Sequence, residues 1–316
     1  MAYSRRATHA GSWYEASSAA LKSAIEGYFA VASKSSVNEN ESLIGVISPH
    51  AGISYSGMTA AHAYVKMRDY IYGPKGSCVT RIFVLGPSHV KWFDGVEVCE
   101  ARQYETPFGP VCVNSAVAGG VGQALRSAGV PVGTMDRSTD EEEHSIEMQL
   151  PFLAYVLNYP PNGCPPAKDR IELVPLLIGD TTRAMEEAIG VVLAEHFRDK
   201  QNLFVMSSDF CHWGSRFRYT YHYEREKYPE IGDAIIAMDH EGMRLLEGRD
   251  VEGWYRYLSA TKNTICGRRP ISVAVAALCA NKKAKVSFVH YSQSNRCRNL
   301  TDSSVSYAAA VITEDV

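Results

Sequence analysis

The stretch Leu43-Ile44-Gly45-Val46-Ile47-Ser48-Pro49-His50-Ala51-Gly52 decides the fold class. Its first five residues are apolar and rich in β-branched side chains, and Ser48-Pro49 ends the run. Short apolar runs bounded by Gly, Pro and Ser read as strands buried on both faces. Two further stretches follow the same grammar. Arg81-Ile82-Phe83-Val84-Leu85 stops at Gly86-Pro87 and leads to His89. Leu203-Phe204-Val205-Met206 stops at Ser207-Ser208 and leads to Asp209 and His212. Ligands of open α/β sheets sit beyond the carboxyl ends of the strands. Three strands that each end in an imidazole or a carboxylate therefore predict one shared crevice.

Between these runs, helix and strand signals alternate. Leu21, Ile25, Tyr28 and Phe29 recur at helical spacing behind Ser17 and Ser18, which predicts a serine-capped helix over 17–32. The polar stretch 33–42 is the most loop-like in the chain, and 158–169 is a second loop. Small residues with Met58, Tyr64, Val65 and Met67 predict a crossover helix over 57–70. The segment 95–113 alternates apolar and polar residues around Pro107-Phe108-Gly109-Pro110, which predicts an inserted β-hairpin. The acids Asp140 to Glu143 are expected in the first turn of a helix, where the dipole favours them, with a kink at Pro151. Further helices are expected over 115–127, 182–197, 231–246, 251–258 and 271–280, and strands over 171–178, 286–291 and 305–312. No internal repeat and no linker interrupts this alternation. The expectation is one α/β domain over 1–316, an α/β/α sandwich around a central, mostly parallel sheet.

Composition narrows the function classes. The 316 residues are 46% hydrophobic and 21% charged, enough apolar surface to bury a core without staples. A formal charge of −3 argues against a nucleic-acid partner held by bulk electrostatics. No stretch approaches the roughly 20 apolar residues that span a bilayer, and the N-terminus lacks an apolar signal core. The eight cysteines form no CxxC pair, so reduced thiols in the cytoplasm are expected. There is no GxGxxG, P-loop, HExxH or GxSxG, which disfavours nucleotide-driven and zincin chemistry.

The candidate residues divide by how much the sequence says about each. His50 and His89 occupy equivalent positions, each closely preceded by a proline that stiffens the backbone. Preorganised imidazoles suit a transition metal, and we read both as ligands. Asp209 and His212 stand three residues apart just past a strand. Two readings stay open for them: a helix cap beside an exposed histidine, or a carboxylate and a histidine acting as acid and base. His144 and Glu147 lie one turn apart, and His144 is read as a pocket-wall or proton-relay group in preference to a ligand. Taken by itself, Cys266 in Thr264-Ile265-Cys266-Gly267-Arg268 reads as an inert cysteine before a helix, although neighbouring arginines would favour its thiolate. The Arg/Tyr-rich stretch 215–228 reads as a solvated or self-packed face.

Taken together, HAGSWY (from His9), PHAG, LGPSH, DEEEHSIEMQLP, SSDFCHWGSRFRY, NTICGRRPI and CRNLTDSSVSYAA resemble the Memo proteins, the mediators of receptor-tyrosine-kinase-driven cell motility. The motifs occur in order over nearly the whole chain. The resemblance implies the fold of the class III extradiol non-haem iron dioxygenases, with the site in a crevice at the sheet. It makes His50, His89 and Cys266 the metal ligands, and it puts Asp209 and His212 in the same pocket, with His144 as a further pocket group. Extradiol dioxygenases hold iron through two histidines and a carboxylate. A thiolate in the third place shifts the expectation toward iron (Fe2+) or copper and toward redox chemistry, away from ring cleavage. The expected function is therefore a metal-binding protein with a redox or metal-homeostasis role coupled to signalling, in the cytoplasm and also the nucleus. Two alternatives remain: a phosphotyrosine-peptide module using the same crevice with Arg216 and Arg218 at its rim, and a dioxygenase acting on a catechol-like substrate.

Overall fold

A computed structural model describes residues 3–32, 41–161, 163–224 and 226–315. A nine-stranded mixed sheet forms its centre. The strand order is His212–Trp213, Ser304–Asp315, Glu41–Ser48, Asn202–Ser207, Arg81–Pro87, Glu172–Ile178, Val96–Val98 and Val132–Thr134, and Ala284–Gln293 also pairs with Ser304–Asp315. The four strands from Glu41–Ser48 to Glu172–Ile178 run parallel, and Ser304–Asp315 and Val96–Val98 flank them antiparallel. The expected α/β sandwich with a largely parallel sheet is what the chain forms.

Period-two side chains explain the layering. Ile82, Val84, Leu203 and Val205 enter one hydrophobic cluster, while Phe83, Leu85, Phe204 and Met206 enter the other. All eight are buried, as strands covered on both faces require. Helices Ser18–Val31, Ile53–Ile71 and Leu150–Asn158 cover the first face through Ile25, Tyr64 and Leu153. Helices Ser115–Ser127, Arg183–Arg198, Ile231–Glu247, Val251–Thr261 and Arg268–Leu278 cover the second. Gly45 is where the sheet needs a bare backbone, since a Cβ there would lie 2.5 Å from the Phe204 carbonyl oxygen.

Register sets up the crevice. Ser48 pairs with Ser207, and Leu85 pairs with Met206, so three neighbouring parallel strands end almost level. His50, Asp209 and His89 each follow within two residues of a strand end. The helix after Glu41–Ser48 and the helix after Glu172–Ile178 pack on opposite faces, which opens a gap at those ends.

Four readings need correction. The expected hairpin over 95–113 divides: Val96–Val98 joins the main sheet, and only Gln103–Tyr104 and Val111–Cys112 pair as a hairpin, with Ser4–Arg5 as a third strand. The acidic stretch is not one helical turn. Helix Arg137–Glu142 is capped by Asp136, Glu143 is extended (ψ 125), and His144–Glu147 starts anew. Pro151 sits at the start of Leu150–Asn158, where a missing N–H costs nothing, so it does not kink a helix. Glu41 and Ser42 belong to a strand, and the rest of the loop expected over 33–42 lies outside the described residues.

Candidate metal centre

The cleft at the strand ends has a volume of about 510 Å³, and its walls include Trp13, His50, His89, His144, Asp209 and His212. Cys266, delivered by the turn before helix Arg268–Leu278, brings its Sγ to 3.0 Å from His50 Nε2. All six residues expected at a site are therefore gathered at one place. One ligand atom each from His50, His89 and Cys266 lies within 4.8 Å of the others.

Hydrogen bonds fix which nitrogen of each imidazole faces the cleft. The Ser207 hydroxyl donates its single hydrogen to the Ser145 carbonyl at 2.6 Å. It can then only accept, from Gln149 Nε2 at 2.9 Å and from His50 Nδ1 at 2.8 Å. His50 thus carries its proton on Nδ1 and presents the Nε2 lone pair toward Cys266. His89 Nδ1 lies 3.0 Å from Glu143 Oε1, a carboxylate that also accepts the His89 backbone N–H at 2.6 Å. The His89 proton is held on Nδ1 in the same way. His212 Nδ1 faces the carbonyls of Phe210 (2.9 Å) and Thr264 (3.3 Å), which only accept. Three imidazoles thus keep Nε2 as a base or donor atom.

Electrostatics agree with neutral rings at two positions. Burial, with the neighbouring His89, His144 and His212, pushes the His50 pKa well below the usual histidine range. Burial and His89 lower His144 to about 4. Burial raises the Asp209 carboxyl, opposed by His212 and by the His50 and Ala51 backbone N–H groups that its Oδ1 accepts. Burial, and then Asp209, push the Cys266 thiol well above its ordinary value. A metal at this sulfur would reverse that balance and release the thiol proton.

The donor set fits a transition ion. Two donors at roughly 2.1 and 2.3 Å from one metal stand about 3.0 to 3.6 Å apart, which spans the His50–Cys266 separation. A soft thiolate with two imidazoles suits iron, copper or zinc better than magnesium or calcium. A second grouping, His89, Glu143 and His144, has the two-histidine, one-carboxylate composition. Its Glu143 is already occupied by the backbone N–H groups of His89, Val90 and Ser145, which makes it a cap and a brace for His89.

Sequence reading missed four contributors. Glu143 was one acid among four, and Ser207 was only a strand end. Gln149 links Ser207 to the Tyr64 hydroxyl and to the Pro49 carbonyl. Trp13 packs against His144 with the two rings tilted and their centres 4.6 Å apart. Asp209 was read as a cap or as an acid/base group, and its structural contact is with the backbone of the His50 turn. The helix-face pairing of His144 with Glu147 does not form: Glu147 turns away into a buried network with Arg5, His9 and Tyr14. Arg216 lines the cleft, whereas Arg218 is an exposed left-handed cap.

Fold and site together define an α/β protein with a His/His/Cys cluster at the ends of parallel strands. The chain matches the family model described as Memo-like protein over residues 5–311. It is 38% identical to Protein MEMO1 of Danio rerio and 37% identical to Protein MEMO1 of Homo sapiens, covering 98% of this chain and 97% of each relative. It is also 37% identical to the Protein memo-1 homolog of Caenorhabditis elegans, over 98% of this chain and 83% of that one. The chain belongs to the Memo family.

Among the described residues no helix is long and apolar enough to cross a membrane.

Proposed function

We propose that this chain, acting as one domain over 1–316, is a cytoplasmic metal protein holding iron (Fe2+) or copper through His50, His89 and Cys266, with a redox or metal-homeostasis role coupled to signalling. The observation that carries this reading is the convergence of the His50 Nε2 lone pair on Cys266 Sγ at 3.0 Å, with His89 in range. A bound ion supplies one-electron chemistry. The protein's part is to orient and exclude. Ser207 and Glu143 hold the two ligand rings, and Asp209 clamps the turn that carries His50. His212 Nε2 is left to accept or return a proton at the cleft wall, and Trp13 and His144 narrow the entrance.

The test is metal content by elemental mass spectrometry on anaerobically purified wild type, His89→Ala and Cys266→Ser. Near-stoichiometric iron or copper in wild type, lost in both variants, is expected. Folded protein without metal in all three would overturn the reading. A second reading, docking of a phosphotyrosine-bearing peptide, draws support from Arg216 on the same cleft. It predicts peptide affinity that survives a chelator and falls in Arg216→Ala.

A further inference from the structure

The segment that carries Cys266 has no regular structure of its own. Helix Val251–Thr261 ends at Lys262, left-handed at φ 52, and helix Arg268–Leu278 starts after Gly267. Side chains from elsewhere hold the chain between them. Thr264 Oγ1 accepts the His212 backbone N–H at 2.8 Å and donates to its carbonyl at 3.0 Å. The Gly267 N–H meets Ser208 Oγ at 3.0 Å. Asn263 is buried, and each hydrogen of its amide can be placed. Tyr257 donates its hydroxyl hydrogen to the Met238 carbonyl at 2.9 Å, so it can only accept from Asn263 Nδ2 at 2.7 Å. The second Nδ2 hydrogen goes to Asp239 Oδ1 at 2.8 Å. Asn263 Oδ1 is buried with no hydrogen-bond partner among the described residues. The fold keeps this amide for what it donates.

Asp239 is fully buried in helix Ile231–Glu247 and takes no part in orienting His50 or His89. Its other oxygen accepts the Tyr291 hydroxyl at 2.8 Å. Burial raises its carboxyl pKa, opposed by hydrogen bonds from Asn263, Ser306, Tyr291 and the Cys211 backbone N–H. Cys211 immediately precedes His212, and Asn263 stands three residues before Cys266. One carboxylate therefore ties together the two segments that present His212 and Cys266. A buried carboxylate is costly unless its bonds are made, so it holds the segments that make them. We propose that Asp239, acting through Asn263, is a positioning residue that sets the Cys266 sulfur against His50. The consequence for a metal rests on the His/His/Cys reading above, whereas the placement of the sulfur does not.

Iodoacetamide labelling of the metal-free protein, followed cysteine by cysteine through peptide mass spectrometry, tests this. Cys266 is half-buried, while Cys99 and Cys297 are buried and report general opening. Asn263→Ala should label Cys266 about tenfold faster, the gain in open population expected from losing one hydrogen bond to a charged group. Cys99 and Cys297 should stay protected in it. Asp239→Ala should do the same, and Asn263→Ala decides alone if that variant does not fold. Tyr291→Phe removes a hydrogen bond from the same carboxylate on the side of strand Ala284–Gln293. It should lower the melting temperature and leave the Cys266 rate unchanged. The proposal is overturned by a wild-type Cys266 rate in Asn263→Ala, by equal acceleration of all three cysteines, or by the same Cys266 acceleration in Tyr291→Phe. Cobalt(II) titration of the same proteins reads the metal separately, with affinity about tenfold weaker in Asn263→Ala expected. No cobalt in wild type, with the labelling difference intact, would overturn the metal reading and uphold the placement of the sulfur.

Discussion

The Glu143 carboxylate grips His89 twice, taking its backbone N–H on Oε2 at 2.6 Å and meeting its Nδ1 with Oε1 at 3.0 Å. Oε1 also accepts the Ser145 N–H at 2.9 Å, so one buried side chain starts a helix and orients an imidazole. Partners of this kind set the tautomer and basicity of a metal-binding histidine.

Glu143→Gln tests that double role. One amide oxygen cannot serve all the donors that the carboxylate serves, and the amide NH2 would face an N–H. Metal affinity by chelator competition should fall about 10- to 100-fold. Urea denaturation should show a loss of about 1–3 kcal/mol. Wild-type affinity in this variant would mean that His89 needs no brace.

Acid stability should depend on Glu147. Burial alone would raise its carboxyl, but the hydrogen bond from His9 and the charge of Arg5 outweigh burial and hold it at about 2. The folded value lies below the ordinary 4.5, so the contribution is complete above that pH and is lost as pH falls toward 2. Its size is about 3 kcal/mol. Urea titrations at pH 7 and pH 3 should show a drop in wild type that is smaller in Glu147→Gln, the remainder belonging to Glu141 and Glu143, which their partners also hold at about 2. Arg5→Met, which strands Asp140 and Glu147 without their counter-charge, should cost about 3–5 kcal/mol at pH 7.

Gly267→Ala should damage the centre more than the fold. A Cβ at this position would lie 2.3 Å from Ser208 Cβ and 2.4 Å from the Ser207 carbonyl oxygen. The turn carrying Cys266 must then back away from His50. The expected stability loss is about 1–3 kcal/mol, with metal retention after dialysis lost entirely. Full retention would show that the turn can yield without moving the sulfur.

Much of this was legible because it is local. Ile82 to Leu85 and Leu203 to Met206 announce buried strands by themselves, and His50, His89 and Asp209 are their immediate chain neighbours. Cys266 was not legible that way. Its position depends on where a late helix docks, and only likeness to a family singled it out. Glu143, Ser207 and Gln149 act through contacts across 54 to 157 residues of chain, which no periodicity encodes. The dipole rule groups the acids Asp140 to Glu143, but only Asp140 lies in the first turn of Arg137–Glu142; Asp140 meets Arg5, Glu141 meets Arg6, and Glu143 breaks the helix to reach His89. Likewise Val96–Val98 looked like half of a hairpin because alternation reveals a strand but not its partner.

Trp13 stands at the mouth of the His/His/Cys cleft, 37% exposed, with its ring against His144 and its carbonyl tied to the Ile53 N–H. Trp213 and Trp254 are fully buried in the core and Trp92 is open to water. The cleft therefore comes with its own fluorophore: an occupant that displaces water from the indole or draws off its excited state changes the emission, so that binding can be followed in unlabelled protein.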